Sequence, residues 1–198
     1  MVTMFLLLQA NPVQSALFAT EITIGDAALV EADTGTSLMT FTISRTGDTT
    51  GPSTVDVDSV DITALAGDDF TTLNETVVFA IGEEAKTVSV EIVGETLVEL
   101  NESFALVLSN PTGATLGTAF SGMGSIVDND KSEVSISAAS SAEENSGEIT
   151  FEVVMTNPVD ADIEIDIATS PDTANSTTTD DYTAVSYTHL TLPTILLV

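Results

Sequence analysis

The feature that most constrains this chain is a two-residue alternation of apolar and polar side chains, which recurs in short segments between residues 21 and 130. Two neighbouring segments carry the apolar series Val88, Val90, Ile92 and Phe104, Leu106, Leu108. Such alternation is typical of strands with one buried face, and turns rich in Gly, Pro and Asn separate the segments. The sequence therefore predicts an all-β fold, an immunoglobulin-like antiparallel β-sandwich of about seven strands with a broken first strand at 22–24 and 28–30.

The same pattern begins again after residue 130. EADTG at 31–35 returns as EENSG at 143–147, 112 positions later, and FTI at 41–43 returns as FEV at 151–153, 110 positions later. Asp68 of GDDF and Asp180 of TDDY are also 112 positions apart. These offsets predict a complete domain over 21–130 and a truncated second copy over 131–184. The second copy has strand signals at 134–136, 149–153 and 163–167, which are too few to close a sandwich.

Both ends of the chain differ from the repeats. Residues 1–20 contain a short apolar block and small residues but no basic residue, which predicts an N-terminal extension or a degenerate signal segment. Residues 185–198, VSYTHLTLPTILLV, are less acidic and do not continue the repeat. They are similar to a translated sequencing adaptor, so we expect a non-native tail there.

Charge excludes several classes of partner. The chain has 31 acidic and 3 basic residues, a net charge of −28, which rules out ordinary recognition of nucleic acid and of anionic membrane surfaces. No apolar run reaches the ~18 residues of a membrane-spanning helix, and the absence of Cys excludes disulfides and thiolate metal sites. A calcium-loaded protein, a saline habitat and a solubility device are each compatible with this charge.

Strand order places most acidic turns at one end of the predicted sandwich. In an up-and-down tracing the first, third, fifth and seventh strands end together, and these ends carry Glu31 with Asp33, Asp61 with Asp68 and Asp69, Glu95 with Glu99 and Glu102, and Asp128 with Asn129 and Asp130. Ca²⁺ takes about six to eight oxygen ligands in irregular geometry, which suits such a set. Zn²⁺ is disfavoured because the chain has no Cys and a single His. The sequence therefore favours a calcium site over solvated loop acids.

Three motifs together resemble the Calx-beta domain family: AGDDF at 66–70, the run ETLVELNESFALVLSNPTGATLG at 95–117, and IVDND at 126–130. The resemblance spans residues 21–130 and implies a calcium-binding β-sandwich. The ligands it implies are Glu31, Asp61, Glu95, Glu99, Glu102, Asp128, Asn129 and Asp130. Gly94 and Asn129 stand where exchanger domains of the family carry acids, which implies fewer ligand charges here.

The resemblance implies a binding module and not an enzyme. No Ser-His-Asp or Cys-His set can be assembled without His189, which lies in the suspected tail. We expect a calcium-binding module of a larger extracellular bacterial protein, in which Ca²⁺ stiffens the junction with neighbouring repeats of the same chain for adhesion or matrix contact. Cell-surface or matrix ligands are the further partners this implies. The alternatives are a structural spacer repeat without calcium and a calcium-sensing regulatory domain of a membrane protein.

Overall fold

The structure is a computed structural model that describes residues 19–137, 149–170, 182–184 and 186–192. Within these ranges every regular element is a strand, which confirms the all-β prediction. In this part of the chain no helix is long and apolar enough to cross a membrane. The first repeat contains β1 (Glu21–Ile24), β2 (Ala27–Val30), β3 (Gly35–Thr46), β4 (Ser53–Asp61), β5 (Asn74–Phe79), β6 (Ala85–Gly94), β7 (Glu102–Thr112), β8 (Thr115–Leu116) and β9 (Ser121–Val127).

The strands of the first repeat form two packed sheets. One sheet has the order β6-β3-β1-β8 and the other the order β2-β9-β7-β4-β5. The predicted break in the first strand is present, and it sends β1 and β2 to different sheets. As a result β1 pairs with β8, and β2 with β9, in parallel, whereas the sequence predicted only antiparallel pairs. Strand β1 therefore runs in the same direction as β8, and β2 in the same direction as β9.

The core lies between the sheets and consists of the alternating apolar residues. Phe41 and Phe104 are fully buried in edge-to-face contact, with their ring centroids 5.9 Å apart. Phe70, from the connection between β4 and β5, stacks on Phe104 at 4.3 Å. Burial of each aromatic ring removes a large apolar area from water. Phe70 thereby fixes its connection against the core, next to the acidic end of the domain.

The described part of the second repeat contains β10 (Val134–Ile136), β11 (Val153–Met155), β12 (Ile163–Ala168) and β13 (Ser186–Leu192). Val134 pairs with Met155 as Ile22 pairs with Arg45, so β10 and β11 reproduce the register of β1 and β3. The strand predicted at 149–153 begins only at Val153, because its partner β10 ends at Ile136. Likewise β13 pairs with β12 as β5 pairs with β4.

The described part of the second repeat has strand pairs without a closed core. Phe151 has 53% of its surface exposed, whereas Phe41 at the corresponding position is fully buried. Of the predicted boundaries, residues 1–18 and 193–198 lie outside the described residues. The strand β13 lies within the segment 185–198, and the non-native origin of that segment stays a prediction, as do the other domain boundaries.

Candidate metal centre

Three carboxylates meet where β2 and β9 end side by side. Glu31 follows β2, and Asp128 and Asp130 follow β9, whose last residue pairs with the last residue of β2. The backbone N–H of Glu31 donates to the carbonyl of Val127 at 3.1 Å. One carboxylate oxygen from each of Glu31, Asp128 and Asp130 lies within 4.8 Å of the others. The parallel pairing of β2 with β9 is therefore what assembles this group.

A second group of three carboxylates joins two connections on the same end of the domain. It comprises Asp69, Glu99 and Glu102, whose nearest oxygens also lie within 4.8 Å of one another. Asp69 is held by its buried neighbour Phe70 and by the N–H of Val93, which donates to the Asp69 carbonyl at 2.9 Å. The connection between β6 and β7 supplies Glu99, and Glu102 begins β7.

Asp128 links the two groups through its two carboxylate oxygens. Its Oδ2 accepts the backbone N–H of Glu99 at 2.8 Å, and its Oδ1 accepts that of Asp130 at 2.7 Å. The backbone N–H of Asp128 donates in turn to Oδ1 of Asn101 at 3.2 Å. A cavity of about 10 Å³, the space of about one water-sized sphere, is lined by Glu31, Asp69, Glu99, Leu100, Glu102, Ile126 and Asp128.

Burial and neighbouring charges raise the pKa values of several carboxylates at this end. Burial, followed by the charges of neighbouring acids, raises the pKa of Glu31 to about 7 and that of Glu99 to about 7. Burial and then a hydrogen bond with Asp69 raise the pKa of Glu102 to about 8. The pKa of Glu95 is raised by burial and then by the charges of Asp69 and Asp130. Glu95 therefore lies within reach of both groups, and the site costs free energy whenever all its members are ionised.

The donor set fits a hard divalent cation such as Ca²⁺. Oε1 of Glu95 and Oδ2 of Asp130 are buried and have no hydrogen-bond partner within the described residues. Orphaned buried oxygens are costly, and a cation would satisfy them. The cation Lys86 pairs with Glu83 at 2.8 Å at the opposite end of the domain. Carboxylates alone, without imidazole or thiolate, are the ligand chemistry of Ca²⁺ and not of Zn²⁺.

The structure brings together six of the eight residues predicted from the sequence. Five of the six belong to the two carboxylate groups, and Glu95 lies within electrostatic reach of both groups. The six are Glu31, Glu95, Glu99, Glu102, Asp128 and Asp130. Asp61 belongs to neither group. Its Oδ1 accepts the N–H of Ala66 at 3.2 Å inside its own turn. Asn129 is exposed and also belongs to neither group. The ligand roles of all eight residues stay predictions.

Asp69 is not among the ligands that the family resemblance implies. The sequence nevertheless contains an indication of its position, because Asp69 lies in the AGDDF motif next to Phe70, a large apolar residue that can anchor the turn in the core. Gly94 is also explained by the structure: a Cβ there would lie 2.0 Å from the carbonyl oxygen of Ala32. The close approach of these two segments leaves no space for a side chain at position 94.

Comparison with protein families places this arrangement in a known group. The Calx-beta domain model matches residues 25–130 and, a second time, residues 127–192. The chain is a member of the Calx-beta domain family. The second match covers the residues after 130 and extends to the end of β13.

Solved Calx structures share the fold. The apo-form CBD1 domain of Calx matches with a TM-score of 0.53 and 22% identity, covering 57% of this chain and 100% of that chain. CBD12 from CALX1.2 matches with a TM-score of 0.52 and 23% identity. The calcium binding domain CBD12 of CALX1.1 matches with a TM-score of 0.52 and 24% identity. Each of these two matches covers 56% of this chain and 46% of the other chain.

Proposed function

We propose that the first Calx-beta repeat binds Ca²⁺ through its acidic end and that binding stiffens the junction with the next repeat. The observation that carries this proposal is the meeting of two carboxylate groups around buried, unpartnered oxygens of Glu95 and Asp130. The printed description of CALX1.1 CBD12 as a calcium binding domain supports the choice of ion. When bound, Ca²⁺ would supply positive charge and accept these oxygens as ligands.

The residues of the chain have separable roles in this proposal. Glu31, Asp69, Glu95, Glu99, Glu102, Asp128 and Asp130 would hold the cation. Asp128 would also orient the loop, since its two oxygens accept the backbone N–H groups of Glu99 and Asp130. Without a counter-charge the cluster repels itself and loosens the connection between β6 and β7. Neutralising it would order both that connection and the residues that lead into the second repeat.

Thermal denaturation of the full chain in EDTA and in millimolar calcium tests this proposal. A ligand at about 100 times its Kd stabilises the native state by about 2.7 kcal/mol, so the midpoint should rise. Changing Glu99 and Asp128 to Ala should remove most of the rise. The matched control changes Glu83 and Glu84, at the other end of the domain, to Ala and should keep it. An unshifted midpoint in the wild-type chain would favour the structural spacer.

We also propose an extracellular bacterial setting, with neighbouring repeats and cell-surface or matrix ligands as partners. Extracellular calcium modules bind with a Kd of about 10⁻⁴ to 10⁻³ M, whereas sensors bind at about 10⁻⁷ to 10⁻⁵ M. Isothermal titration of the full chain with calcium chloride separates the two settings. A Kd near 10⁻³ M supports the extracellular module, and a Kd of about 10⁻⁶ M would favour the calcium-sensing regulatory domain.

A further inference from the structure

The outer face of the five-stranded sheet carries no charge over three neighbouring strands. Along β7 and β9 every second side chain points into the core, and the residues between them point outward. The outward residues of β2, of β9 and of β7 as far as Ser109 are either serines or the apolar set Ala28, Val30, Ala105, Val107, Met123 and Val127. In a chain with 31 acidic residues, an uncharged sheet face is unexpected.

Two of these strands are apolar on both faces. Strand β2 reads AALV, and the centre of β7 reads FALVL at 104–108. Continuous apolar runs are typical of strands that are covered on both sides, whereas strands with one solvated face alternate. Strand pairing places Met123, Ala105 and Val60 side by side across β9, β7 and β4. Met123 is 48% and Val60 46% exposed, so this row is open to solvent in the single chain.

The outer face of the other sheet has a different character. Its strands β3 and β6 present hydroxyl groups, and those of Thr40 and Ser89 are hydrogen-bonded at 3.0 Å. Exposed Glu21 and Glu91 add charge to the same face. Such a surface is typical of a solvated sheet. The contrast between the two outer faces of one sandwich indicates that the five-stranded sheet packs on a partner.

The charge of the chain favours a second copy as that partner. A basic protein would be attracted to the acidic end and not to an uncharged face. Two copies, each with a net charge of −28, repel one another and can come into contact only where no carboxylates face each other. The acids that border the face on β4 are Asp56 and Asp58, and both accept hydrogen bonds from neighbouring side chains.

We propose that two copies of this chain pack face to face through the outer surface of the five-stranded sheet, with Met123, Ala105 and Val60 at the centre of the contact. Packed sheets lie about 10 Å apart with interdigitating side chains, so the long Met123 side chain would fit against the small Ala105 of the other copy. The contact requires no calcium. The inference therefore goes beyond the proposed calcium binding and does not depend on it.

The size of the face indicates that the dimer is weak. Four strands about 4.8 Å apart, each contributing about six residues, cover roughly 400 Å² per copy. A standard protein–protein interface covers about 800 Å² per partner. We therefore expect association at high local concentration, such as that of copies crowded on one surface.

Sedimentation equilibrium of the full chain, from micromolar to millimolar concentration, tests the proposal. The average mass should rise above the 20.5 kDa of the single chain, equally in EDTA and in calcium. Raising the salt from about 0.1 to 1 M shortens the Debye length from about 10 to 3 Å, which should strengthen association between copies of like charge. Met123→Glu should weaken association by about 100-fold or more, because it brings like charges together.

Two control variants place a carboxylate on equally exposed apolar positions elsewhere. Phe151→Glu alters the second repeat and Leu38→Glu the outer face of the other sheet, at residues 53% and 61% exposed, and both should associate as the wild type does. Val60→Glu should repeat the loss seen with Met123→Glu. Urea denaturation checks that each variant remains folded. A mixture of Met123→Glu with Met123→Lys should associate more tightly than either variant alone.

The outcomes separate this dimer from other contacts. A wild-type chain that stayed monomeric at every concentration and salt would overturn the proposal and leave another protein as the cover of this face. Association lost in Phe151→Glu or Leu38→Glu but kept in Met123→Glu would place the contact elsewhere and also overturn it. Association that disappeared in EDTA would assign the contact to the acidic end. Self-association without any calcium heat in calorimetry would support the dimer while overturning the proposed calcium binding.

Discussion

The two ends of the first repeat both bury charged groups, but they differ in whether other protein groups bind them. At one end Arg45 is 1% exposed, and its guanidinium donates to the carbonyls of Gly51, Ala80 and Glu83 and to the hydroxyl of Ser53, at 2.8 to 3.1 Å. It also lies over the ring of Phe79, 5.3 Å from the centroid. Every partner of this cation is a protein group, so Arg45 ties the turns after β3 and β5 together.

The acidic end leaves part of its charge without protein partners. Oε1 of Glu95 and Oδ2 of Asp130 have none among the described residues, and pKa values there are raised. At the Arg45 end the pKa of Glu83 is lowered instead, first by its bond to Lys86. A buried charge that the fold satisfies stabilises the structure, whereas charge that the fold leaves unsatisfied indicates a ligand. The following predictions test that distinction, from the largest effect to the smallest.

Arg45→Met should cause the largest loss of stability. The change leaves three partly buried carbonyls without their donor, and each hydrogen bond to a charged group is worth about 1.5 to 3 kcal/mol. Met is the residue that the second repeat carries at this position, as Met155. Urea denaturation should show the same loss in EDTA and in calcium. Lys86→Met, which removes only a partly exposed ion pair, should cost less than about 1 kcal/mol. A calcium-dependent loss in Arg45→Met would contradict the separation of the two ends.

Gly94→Ala should destabilise the domain and disturb the acidic end together. Its Cβ would meet the carbonyl of Ala32 at 2.0 Å, and overpacking of this kind costs about 1 to 3 kcal/mol. Because Glu31 and Glu95 adjoin the two clashing residues, calcium affinity should fall as well. Gly51→Ala is the control, since nothing lies within 4 Å of its added Cβ. Equal stability of the two variants in urea would contradict the close approach.

Asp69→Asn should weaken calcium binding, whereas Asp61→Asn should not. Loss of one ligand charge is expected to raise the Kd by about tenfold, equal to ~1.4 kcal/mol. Asp61 is engaged with the N–H of Ala66 in its own turn, and an amide oxygen can accept the same bond. Titration calorimetry measures both variants. The reverse order of affinities would restore Asp61 as the ligand implied by the family resemblance.

The stability of the calcium-free chain should fall as the pH rises. The native pKa values of Glu31, Glu99 and Glu102 are about 7 to 8, above the ordinary value of 4.5. Between these values the native chain binds more protons than the unfolded chain, so the free energy of unfolding decreases with pH and levels off above about pH 8. Urea denaturation in EDTA at several pH values measures this slope, and Glu99→Gln should flatten it. Stability that rose over this window would show that the cluster is not repulsive.

The strands could be predicted from the sequence because each alternating segment carries its own signal. The predicted segments at 22–24, 28–30 and 134–136 are strands in the structure, and AGDDF with IVDND pointed to the family. The choice of Asp69 over Asp61 could not be made in this way. Asp61 is the last residue of β4 and Asp69 lies in the turn that follows it. Only the stacking of Phe70 on Phe104 shows which of these two carboxylates the core holds against Glu99 and Glu102.

The sequence by itself determined the all-β class, the repeat and the acidic turns, since alternation, turn residues and charge are local properties. Only the tertiary structure decided that β1 and β2 part to opposite sheets, that Asp128 joins two carboxylate groups, and that Val98 meets the second repeat. Phe41 and Phe151 show the reason. They occupy the same place in the same pattern, yet one is fully buried and the other half exposed, because burial requires the whole set of packed strands.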